Sequence, residues 1–365
     1  MTFESQSPVK RTARILNPKD FSSPALRERF RRAGIPAYRA DQVFDWLYRR
    51  GVEDFAAMTN LGLELRQQLA ERWETRALSV LRVQESRDGT RKFALEAADG
   101  AVVEAVLIPE ERRNTLCIST QVGCPLACSF CATGARGFDR NLSTAEMVDQ
   151  VCRVVAEGTD AGEPPSNVVF MGMGEPLLNL PSLLEAIRIL TDPKGLAMAP
   201  RRITVSTVGV IPKIRPLLEV GPINLAVSLH ATTDRVRDEL VPINRQFPLG
   251  ELLNSLRQND LISSRRPVFF EYTLVEGVND SLDDARRLPG LLRGIPSKLN
   301  VIPLNAHADS PYRAPSREVV DRFTAALHRA GLRVTLRRSR GTDIDAACGQ
   351  LVGLGQAHRI GPKRT

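Results

Sequence analysis

The sequence predicts an α/β protein, an incomplete TIM-like barrel of six (βα) repeats that follows a small N-terminal helical domain. Beyond about residue 110, strand-like runs alternate with helical stretches, which indicates a parallel sheet with right-handed crossovers. Those runs are rich in Val and Ile on both faces, as is typical of strands covered by helices. Before residue 85, apolar residues recur at helical spacing between Gly and Pro breaks.

These patterns divide the chain into four segments. We expect a helical domain over residues 1–85, a connecting β-hairpin over 86–110, the barrel over 111–355 and a basic tail over 356–365. The Asp99–Gly100 pair is a typical hairpin turn. The predicted barrel strands are TLCIST, SNVVFMG, RRITVSTVG, INLAVSLH, VFFEYTLV, KLNVIPLN and LRVTLRRS. The predicted crossover helices are STAEMVDQVCRVVAEG, SLLEAIRILTD, IPKIRPLLEV, DRVRDEL, LGELLNSLRQND, DDARRLPGLLR and SREVVDRFTAALHRAG.

Composition narrows the class of protein. With 365 residues, 42% of them hydrophobic, the chain can bury one large core and a small one. Its 50 Lys and Arg residues against 42 Asp and Glu residues leave a formal charge of +8, which suits either simple solubility or a polyanionic partner such as nucleic acid. No apolar run approaches the roughly 20 residues of a membrane span, and residues 1–10 have no secretory apolar core. We therefore expect a cytoplasmic protein with no membrane partner.

Three of the six cysteines lie on one short loop, GCPLACSFCATG. A reducing compartment argues against a disulfide framework, so the cluster of Cys124, Cys128 and Cys131 indicates metal binding or catalysis. Three thiolates can hold three irons of a [4Fe–4S] cluster and leave the fourth iron open to an amino-acid ligand. Structural zinc is the alternative, but it needs a fourth ligand, and Cys117 lies inside a predicted strand.

Polar and glycine-rich residues follow several predicted strands. In a barrel of this kind the chemistry collects at the carboxyl ends of the strands. Loops are polar in any protein, so ordinary loops are the alternative, yet several such features around one rim favour a site. The features are the Gly172–Pro176 segment, Ser206, Ser228, His230 and Asn305.

The cysteine spacing and the GMGEP segment resemble the radical S-adenosylmethionine superfamily. Longer segments are similar to the radical RNA adenine methyltransferases of the RlmN type, and the resemblance runs from about residue 20 to 355. The segments are TLCISTQVGCPLACSFCATG, GMGEPLLN, SLHA, VPIN and DIDAACGQL. The resemblance implies a radical S-adenosylmethionine barrel, an RNA methyltransferase activity, a [4Fe–4S] cluster and S-adenosylmethionine.

The resemblance also implies a set of binding residues. Cys124, Cys128 and Cys131 would ligate the cluster, and Phe130 would pack on an adenine ring. The residues implied to contact S-adenosylmethionine are Gly174, Glu175, Ser206, Ser228, Leu229, His230 and Asn305. From the residues alone, the serines can equally be strand ends, Phe130 can equally pack within its own loop, and His230 can equally be a structural histidine.

Two outlying cysteines and one glutamate gain roles only through the resemblance. A lone cysteine is usually a small buried apolar residue, as we expect for Cys152 on its helix. The resemblance implies that Cys348 accepts a methyl group and that Cys117 later attacks the crosslinked sulfur, forming a transient disulfide. Glu104 lies among apolar residues of AVVEAVLIP, either exposed on an edge strand or buried for acid–base work. The resemblance implies that it removes the ring proton.

The implied reaction is methylation of carbon-2 of adenosine, at the peptidyl-transferase centre of 23S ribosomal RNA and 3′ of the tRNA anticodon. It consumes two S-adenosylmethionines and passes through an S-methylcysteine and a 5′-deoxyadenosyl radical. The alternatives are carbon-8 methylation by the antibiotic-resistance sister family, a radical enzyme for a small molecule, and a non-enzymatic RNA-binding zinc protein.

The expected partners are the two RNAs, bound by the helical domain and basic clusters, and a flavodoxin or ferredoxin as electron donor. We expect a monomer.

Overall fold

The computed structural model describes residues 16–111, 113–158, 165–307 and 310–353. Its helices are α1 Ser23–Arg32, α2 Ala37–Tyr48, α3 Leu63–Arg72, α4 Ala132–Arg136, α5 Thr144–Ala156, α6 Leu180–Thr191, α7 Ile211–Leu218, α8 Asp234–Leu240, α9 Leu249–Arg257, α10 Leu282–Leu292 and α11 Arg317–Arg329. Its strands are β1 Leu78–Glu85, β2 Arg91–Ala97, β3 Val102–Glu110, β4 Arg113–Cys117, β5 Gln121–Gly123, β6 Phe138–Asn141, β7 Asn167–Phe170, β8 Ile203–Thr207, β9 Asn224–Ser228, β10 Val268–Leu274, β11 Ser297–Pro303 and β12 Val334–Leu336.

One ten-stranded sheet carries the barrel and the hairpin before it. Its strand order is β1-β2-β3-β4-β7-β8-β9-β10-β11-β12, and β5 pairs only with β6 in a separate ribbon. Strands β1 to β4 pair antiparallel, whereas β4 and β7 to β12 pair parallel. Since β1 and β12 lie at opposite ends of this order, the barrel is open. The predicted incomplete (βα) barrel and the hairpin at Asp99–Gly100 are confirmed.

The central parallel strands form because alternate apolar residues are fully buried; in β8 the residues between them, Thr204 and Ser206, are half-buried. Four residues, one from each of the neighbouring strands β8 to β11, are fully buried: Val205, Val227, Phe270 and Val301. Helix α5 begins with a capping box, in which the Glu146 amide donates to the Ser143 hydroxyl and the Ser143 amide donates to the Glu146 carboxylate. The predicted crossover helices are all present as α5 to α11.

Some elements differ from the prediction. The segment predicted as helical to residue 85 ends in a strand, because Leu78–Glu85 pairs antiparallel with β2. Its mixed exposure is typical of an edge strand, in which alternation is too weak to predict the element from sequence. The short β5–β6 ribbon and α4 around the cysteine loop were also not predicted.

The predicted basic tail at residues 356–365 lies outside the described residues, as do residues 1–15 of the predicted helical domain. In the part of the chain that the structure describes, no helix is long and apolar enough to cross a membrane. The helices α1 to α3 share one continuous apolar core with the barrel, through residues such as Phe30, Phe44 and Trp73.

Candidate active site

A cavity of about 170 Å³ opens at the carboxyl ends of the parallel strands. It is lined by Cys124, Leu126, Cys128, Phe130, Cys131, Thr133, Phe170, Met171, Gly172, Gly174, Glu175, Pro176, Ser206, Thr207, Val208, Ser228, His230, Glu271, Thr273, Ile302, Leu304, Asn305, Arg337, Cys348, Gly349 and Leu351. The structure thus brings together the three-cysteine loop, Cys348 and six of the seven residues expected to contact S-adenosylmethionine. A wider groove of about 570 Å³ over residues 53–76 contains none of them.

The cysteine loop begins at a position that only glycine can occupy. Gly123 has φ +75°, and a Cβ there would lie 1.9 Å from the Gly137 carbonyl oxygen. This close approach lets the Cys124 amide donate to the same oxygen at 2.8 Å. Ala127, between the first two cysteines, is held at φ +50°, a conformation that costs a non-glycine residue energy and is typical of functional loops.

The three thiols lie close enough to disfavour each other's ionisation. Burial raises the pKa of Cys124 to about 12, with a further contribution from Cys131. Burial and then the charges of Cys131 and Cys124 raise the pKa of Cys128. Among the described residues, no three His, Cys, Asp or Glu side chains converge as the ligands of one ion do. A [4Fe–4S] cluster does not need that convergence, because each thiolate binds a different iron, and its cationic irons would offset the repulsion. The loop therefore fits a cluster.

The glycine-rich segment packs directly beside this loop. A Cβ on Gly172 would lie 2.7 Å from the Ile118 carbonyl oxygen, and one on Gly174, at φ +99°, would lie 2.5 Å from the Cβ of Gln121. The Gln121 side-chain oxygen accepts a hydrogen bond of 2.8 Å from the Glu175 amide. The segment thus presents its backbone to the cavity at the edge of the cysteine loop.

Glu175 is a buried carboxyl at the wall of the cavity. Burial raises its pKa to about 7, although the amides of Leu177 and Val208 each donate to it at 3.0 Å. Near neutral pH its proton is therefore easily gained or lost. An amino group bound in the cavity would favour the ionised form.

His230 lines the cavity in the neutral form. Burial, and next the charge of Arg237, lower its pKa to about 3. Its Nδ1 accepts a hydrogen bond of 3.0 Å from the Thr273 amide, so the proton sits on Nε2. The ring meets Phe130 edge-on, with centroids 5.0 Å apart. His230 has φ +55°, so the backbone is bent sharply to aim this ring.

Leu229 is the one expected contact that does not line the cavity. Its side chain is fully buried in the apolar core. Its carbonyl oxygen instead accepts a hydrogen bond of 3.0 Å from Nε of Arg237. Any contact of Leu229 with a ligand would therefore use the backbone.

The Cys348 segment, defined here as residues 345–353, is hydrogen-bonded to the start of α4 immediately after Cys131. The Ala132 amide donates to the Gly349 carbonyl at 2.8 Å, and the Thr133 hydroxyl donates to the Leu351 carbonyl at 2.6 Å. On the other side, the Asn305 amide group donates to the Cys348 carbonyl at 3.4 Å. The Cys348 thiol is thereby presented to the cavity next to the cysteine loop.

The structure brings Cys117 within electrostatic reach of Cys348. Cys117 is only 8% exposed at the end of β4 and does not line the cavity. Burial raises its pKa, and the charge of Cys348 adds to the effect. Cys348 is exposed on the cavity side, yet desolvation by the surrounding cavity walls raises the pKa of its thiol, while Arg337 opposes that shift. All six cysteines are free thiols.

Glu104 is buried on a central strand, which excludes the edge-strand interpretation. It lies on β3, between β2 and β4, and is 0% exposed. Its Oε2 accepts hydrogen bonds from the amides of Val352 at 2.8 Å and Gly353 at 3.1 Å. Its Oε1 lies 3.3 Å from Nζ of Lys92. Glu104 does not line the cavity but holds the segment that carries Cys348.

Sequence reasoning missed two charged residues of the cavity. Glu271 on β10 is buried, and its Oε1 accepts a hydrogen bond of 2.8 Å from Asn300 and lies 4.0 Å from Arg337. The apolar neighbours of Glu271 in VFFEYTLV carry the same signal that singled out Glu104. Arg337, just after β12, lies in a run of arginines that the sequence marks only as basic.

Comparisons with known proteins agree with this arrangement. The model of the ribosomal RNA large subunit methyltransferase N-terminal domain matches residues 16–75, and that of the radical SAM superfamily matches residues 118–288. The dual-specificity RNA methyltransferase RlmN of Geobacter sulfurreducens is 51% identical over 88% of this chain and 87% of its own. That of Geotalea uraniireducens is 48% identical over 92% and 96%. The chain belongs to the RlmN family.

A solved structure gives the same result for the fold. A radical SAM methyltransferase from Sphaerobacter thermophilus superposes with a TM-score of 0.87 at 43% identity, covering 92% of this chain and 99% of that one. As a member of the RlmN family, the chain is a radical S-adenosylmethionine RNA methyltransferase that uses a [4Fe–4S] cluster and S-adenosylmethionine. Membership sets aside the zinc-protein and small-molecule alternatives.

Proposed function

We propose that the protein methylates carbon-2 of adenosine in 23S ribosomal RNA at the peptidyl-transferase centre and in tRNA 3′ of the anticodon. The observation that carries the proposal is the docking of the Cys348 segment on the cysteine loop, through the Ala132–Gly349 hydrogen bond of 2.8 Å. This bond supports the proposal because it joins the segment that carries Cys348 to the loop that carries the three other thiols. Cys117, at the end of β4, is the proposed resolving thiol.

In this proposal Cys124, Cys128 and Cys131 ligate the cluster, which when bound supplies the electron that cleaves S-adenosylmethionine to a 5′-deoxyadenosyl radical. The glycine-rich segment at Gly174 and Glu175 receives the methionine end. The remaining contacts come from strand ends, namely Ser206, Ser228, the Leu229 backbone, His230 and Asn305. Phe130, wedged against His230, offers a ring face to an adenine.

The chain's own thiols determine the product. Cys348 first takes a methyl group from one S-adenosylmethionine. The 5′-deoxyadenosyl radical would take a hydrogen atom from this S-methyl and become 5′-deoxyadenosine, and the carbon radical left on Cys348 would add to the adenine ring. Glu104 would accept the ring proton, after its segment contacts at Val352 and Gly353 have rearranged, while the remaining electron of the adduct would return to the oxidised cluster. Cys117 would then attack the Cys348 sulfur, forming a disulfide and breaking the sulfur–carbon bond, and the released methylene carbon would take a proton from solvent to complete the methyl group of the RNA.

The helical domain over residues 1–85 is proposed as the RNA-binding accessory domain of the barrel. Tyr38 is 55% exposed there, with the Arg39 guanidinium 4.7 Å from its ring centroid, an arrangement that suits base stacking. The arginines of α1 offer less free positive charge to RNA than their number suggests. Arg27 pairs with Asp41, and Arg31 pairs with Glu28. We further propose that the enzyme acts as a cytoplasmic monomer and receives electrons from a flavodoxin or ferredoxin.

Carbon-8 methylation of the same ribosomal adenosine is the alternative product. The long N-terminal segment and the match to RlmN relatives over about nine-tenths of the chain favour carbon-2. The two methyladenosine isomers separate by chromatography and mass spectrometry of digested RNA.

The test is anaerobic RNA methylation by the wild type and two cysteine variants. Cys348→Ala is expected to produce no methyladenosine, because the methyl acceptor is gone. Cys117→Ala is expected to accumulate a covalent protein–RNA adduct, because nothing resolves it. Cys152→Ala, on α5 and away from the cavity, is the matched control and should keep wild-type activity. Methylation by Cys348→Ala would refute the covalent route.

A further inference from the structure

The β1–β2 turn and the strands β2 and β3 hold the chain around Cys348 at successive points. In the β1–β2 turn, Asp88 Oδ2 accepts a hydrogen bond of 3.0 Å from the Gly341 amide. At the far end, Glu104 Oε2 accepts from the amides of Val352 and Gly353. Cys348 lies between these two attachments.

Lys92 holds the chain at a point between the Gly341 attachment and the Glu104 attachment. Its side chain on β2 is only 4% exposed, and Nζ donates to the Asp345 carbonyl oxygen at 3.2 Å. The same Nζ lies 3.3 Å from Glu104 Oε1. Lys92 pairs with Val106 across the β2–β3 ladder, so Glu104, two residues before Val106, is its diagonal neighbour on the same face.

Both ends of the Cys348 segment therefore depend on one buried ion pair. Asp345, at the beginning of the segment, is held by Lys92 directly and has φ +52°, a conformation that needs support from its surroundings. The end of the segment is held by Glu104. Without Lys92, the Glu104 carboxylate would be a buried charge with no cation beside it, which is strongly destabilising.

We propose that Lys92 is a positioning residue for Cys348. It acts through the Asp345 backbone and through Glu104, and it fixes where the methyl-bearing thiol sits relative to the cysteine loop. Lys92 does not line the cavity and has no contact with the reacting atoms. The role of Cys348 rests on the proposed function, whereas the mechanical role of Lys92 in holding residues 345–353 does not.

The proposal requires a positive charge at position 92, where a neutral polar group would not be enough. A neutral donor can satisfy the Asp345 carbonyl, but only a cation also balances the Glu104 carboxylate. When Glu104 turns toward a ring proton, its bonds to Val352 and Gly353 are lost. The Lys92–Asp345 bond then remains as the attachment that keeps Cys348 in place.

The experiment uses the anaerobically purified holoenzyme with Lys92→Met, Lys92→Arg and, as matched control, Lys298→Met, an exposed lysine on β11. Hydrogen exchange by mass spectrometry reports the segment independently of chemistry. We expect amides 345–353 to exchange about tenfold faster in Lys92→Met, with little change elsewhere in the barrel. Lys92→Arg should restore most of the protection, and the control should match wild type.

The same variants are assayed for single-turnover methylation of Cys348 by intact mass, and for kcat and KM with RNA. Lys92→Met should lower kcat about tenfold or more with KM for RNA nearly unchanged, and Lys92→Arg should recover activity.

Unchanged exchange over 345–353, or faster exchange spread over the whole barrel, would overturn the proposal. If wild type never methylates Cys348, the proposed function fails instead, and the exchange result still decides the role of Lys92. Should Lys92→Met not fold, Lys92→Gln keeps a donor for the Asp345 carbonyl but places no charge beside Glu104, and faster exchange is then expected at amides 350–353, the end of the segment that Glu104 holds.

Discussion

At the scale of single residues, the site depends on buried polar groups whose environment sets their protonation. His230 is the clearest case, because burial lowers its pKa to about 3 while its Nδ1 accepts from the Thr273 amide. A protonated ring would lose that bond and lie near Arg237. The residue therefore offers an Nε2–H donor to the cavity throughout the physiological range.

We predict that the His230 ring nitrogens do not titrate between pH 5 and pH 8. Since the unfolded histidine takes up a proton near pH 6.5 and the folded one only near 3, His230 makes the fold less stable as pH falls through that window. Nitrogen-15 NMR of the ring, assigned with His230→Gln, measures this directly. Urea-unfolded protein serves as the control. A ring titration near pH 6.5 in the folded protein would contradict the structure.

At the scale of elements, helix α8 joins the ends of strands β8 and β9. Arg237 on this helix is fully buried, and its guanidinium donates to the carbonyls of Val208, Ser228 and Leu229. It also donates to the Asn244 side chain at 2.9 Å. One side chain thus fixes the two strand ends that carry most of the expected S-adenosylmethionine contacts.

Removing this guanidinium should be costly, because four acceptors would lose their donor in the interior. We predict that Arg237→Met lowers the free energy of unfolding by about 3–5 kcal/mol. Arg235→Met, an exposed position on the same helix, should change it by less than about 0.5 kcal/mol. Urea denaturation of the two variants measures the difference. Equal stabilities would show that α8 does not tie the strands together.

The same helix shows which parts of the structure the sequence can predict. Runs rich in Val and Ile predicted the barrel strands, and the Cys spacing predicted the loop, because both depend on side-chain identity at short range. Arg237 escaped prediction, since its partners are backbone carbonyls that come together only in the folded chain. Strand β1 escaped because an exposed edge imposes little alternation. Glu271 carries the same sequence signal as Glu104, a carboxylate among apolar neighbours.

At the scale of the whole molecule, a buried charge network joins the N-terminal segment to the barrel. Lys19, fully buried, pairs with Asp149 on α5 and with Glu53. Asp149 also accepts hydrogen bonds from the amides of Ala77, at 2.7 Å, and Leu78, at 2.8 Å. Because these buried charges pair with one another, they fix how the N-terminal helical segment packs against α5. The proposed RNA-binding domain and the cavity are thus held in a defined orientation.

The central claim, that RNA is methylated through Cys348, is tested most directly with S-adenosylmethionine whose methyl group carries three deuterium atoms. Because one deuterium leaves the S-methyl group before the carbon radical adds to the ring, we predict 2-methyladenosine whose methyl group keeps two deuterium atoms and one hydrogen. The measurement is mass spectrometry of the digested RNA after reaction with the anaerobically purified protein. A product that keeps all three deuterium atoms would mean direct transfer and contradict the account, and 8-methyladenosine would contradict the proposed position.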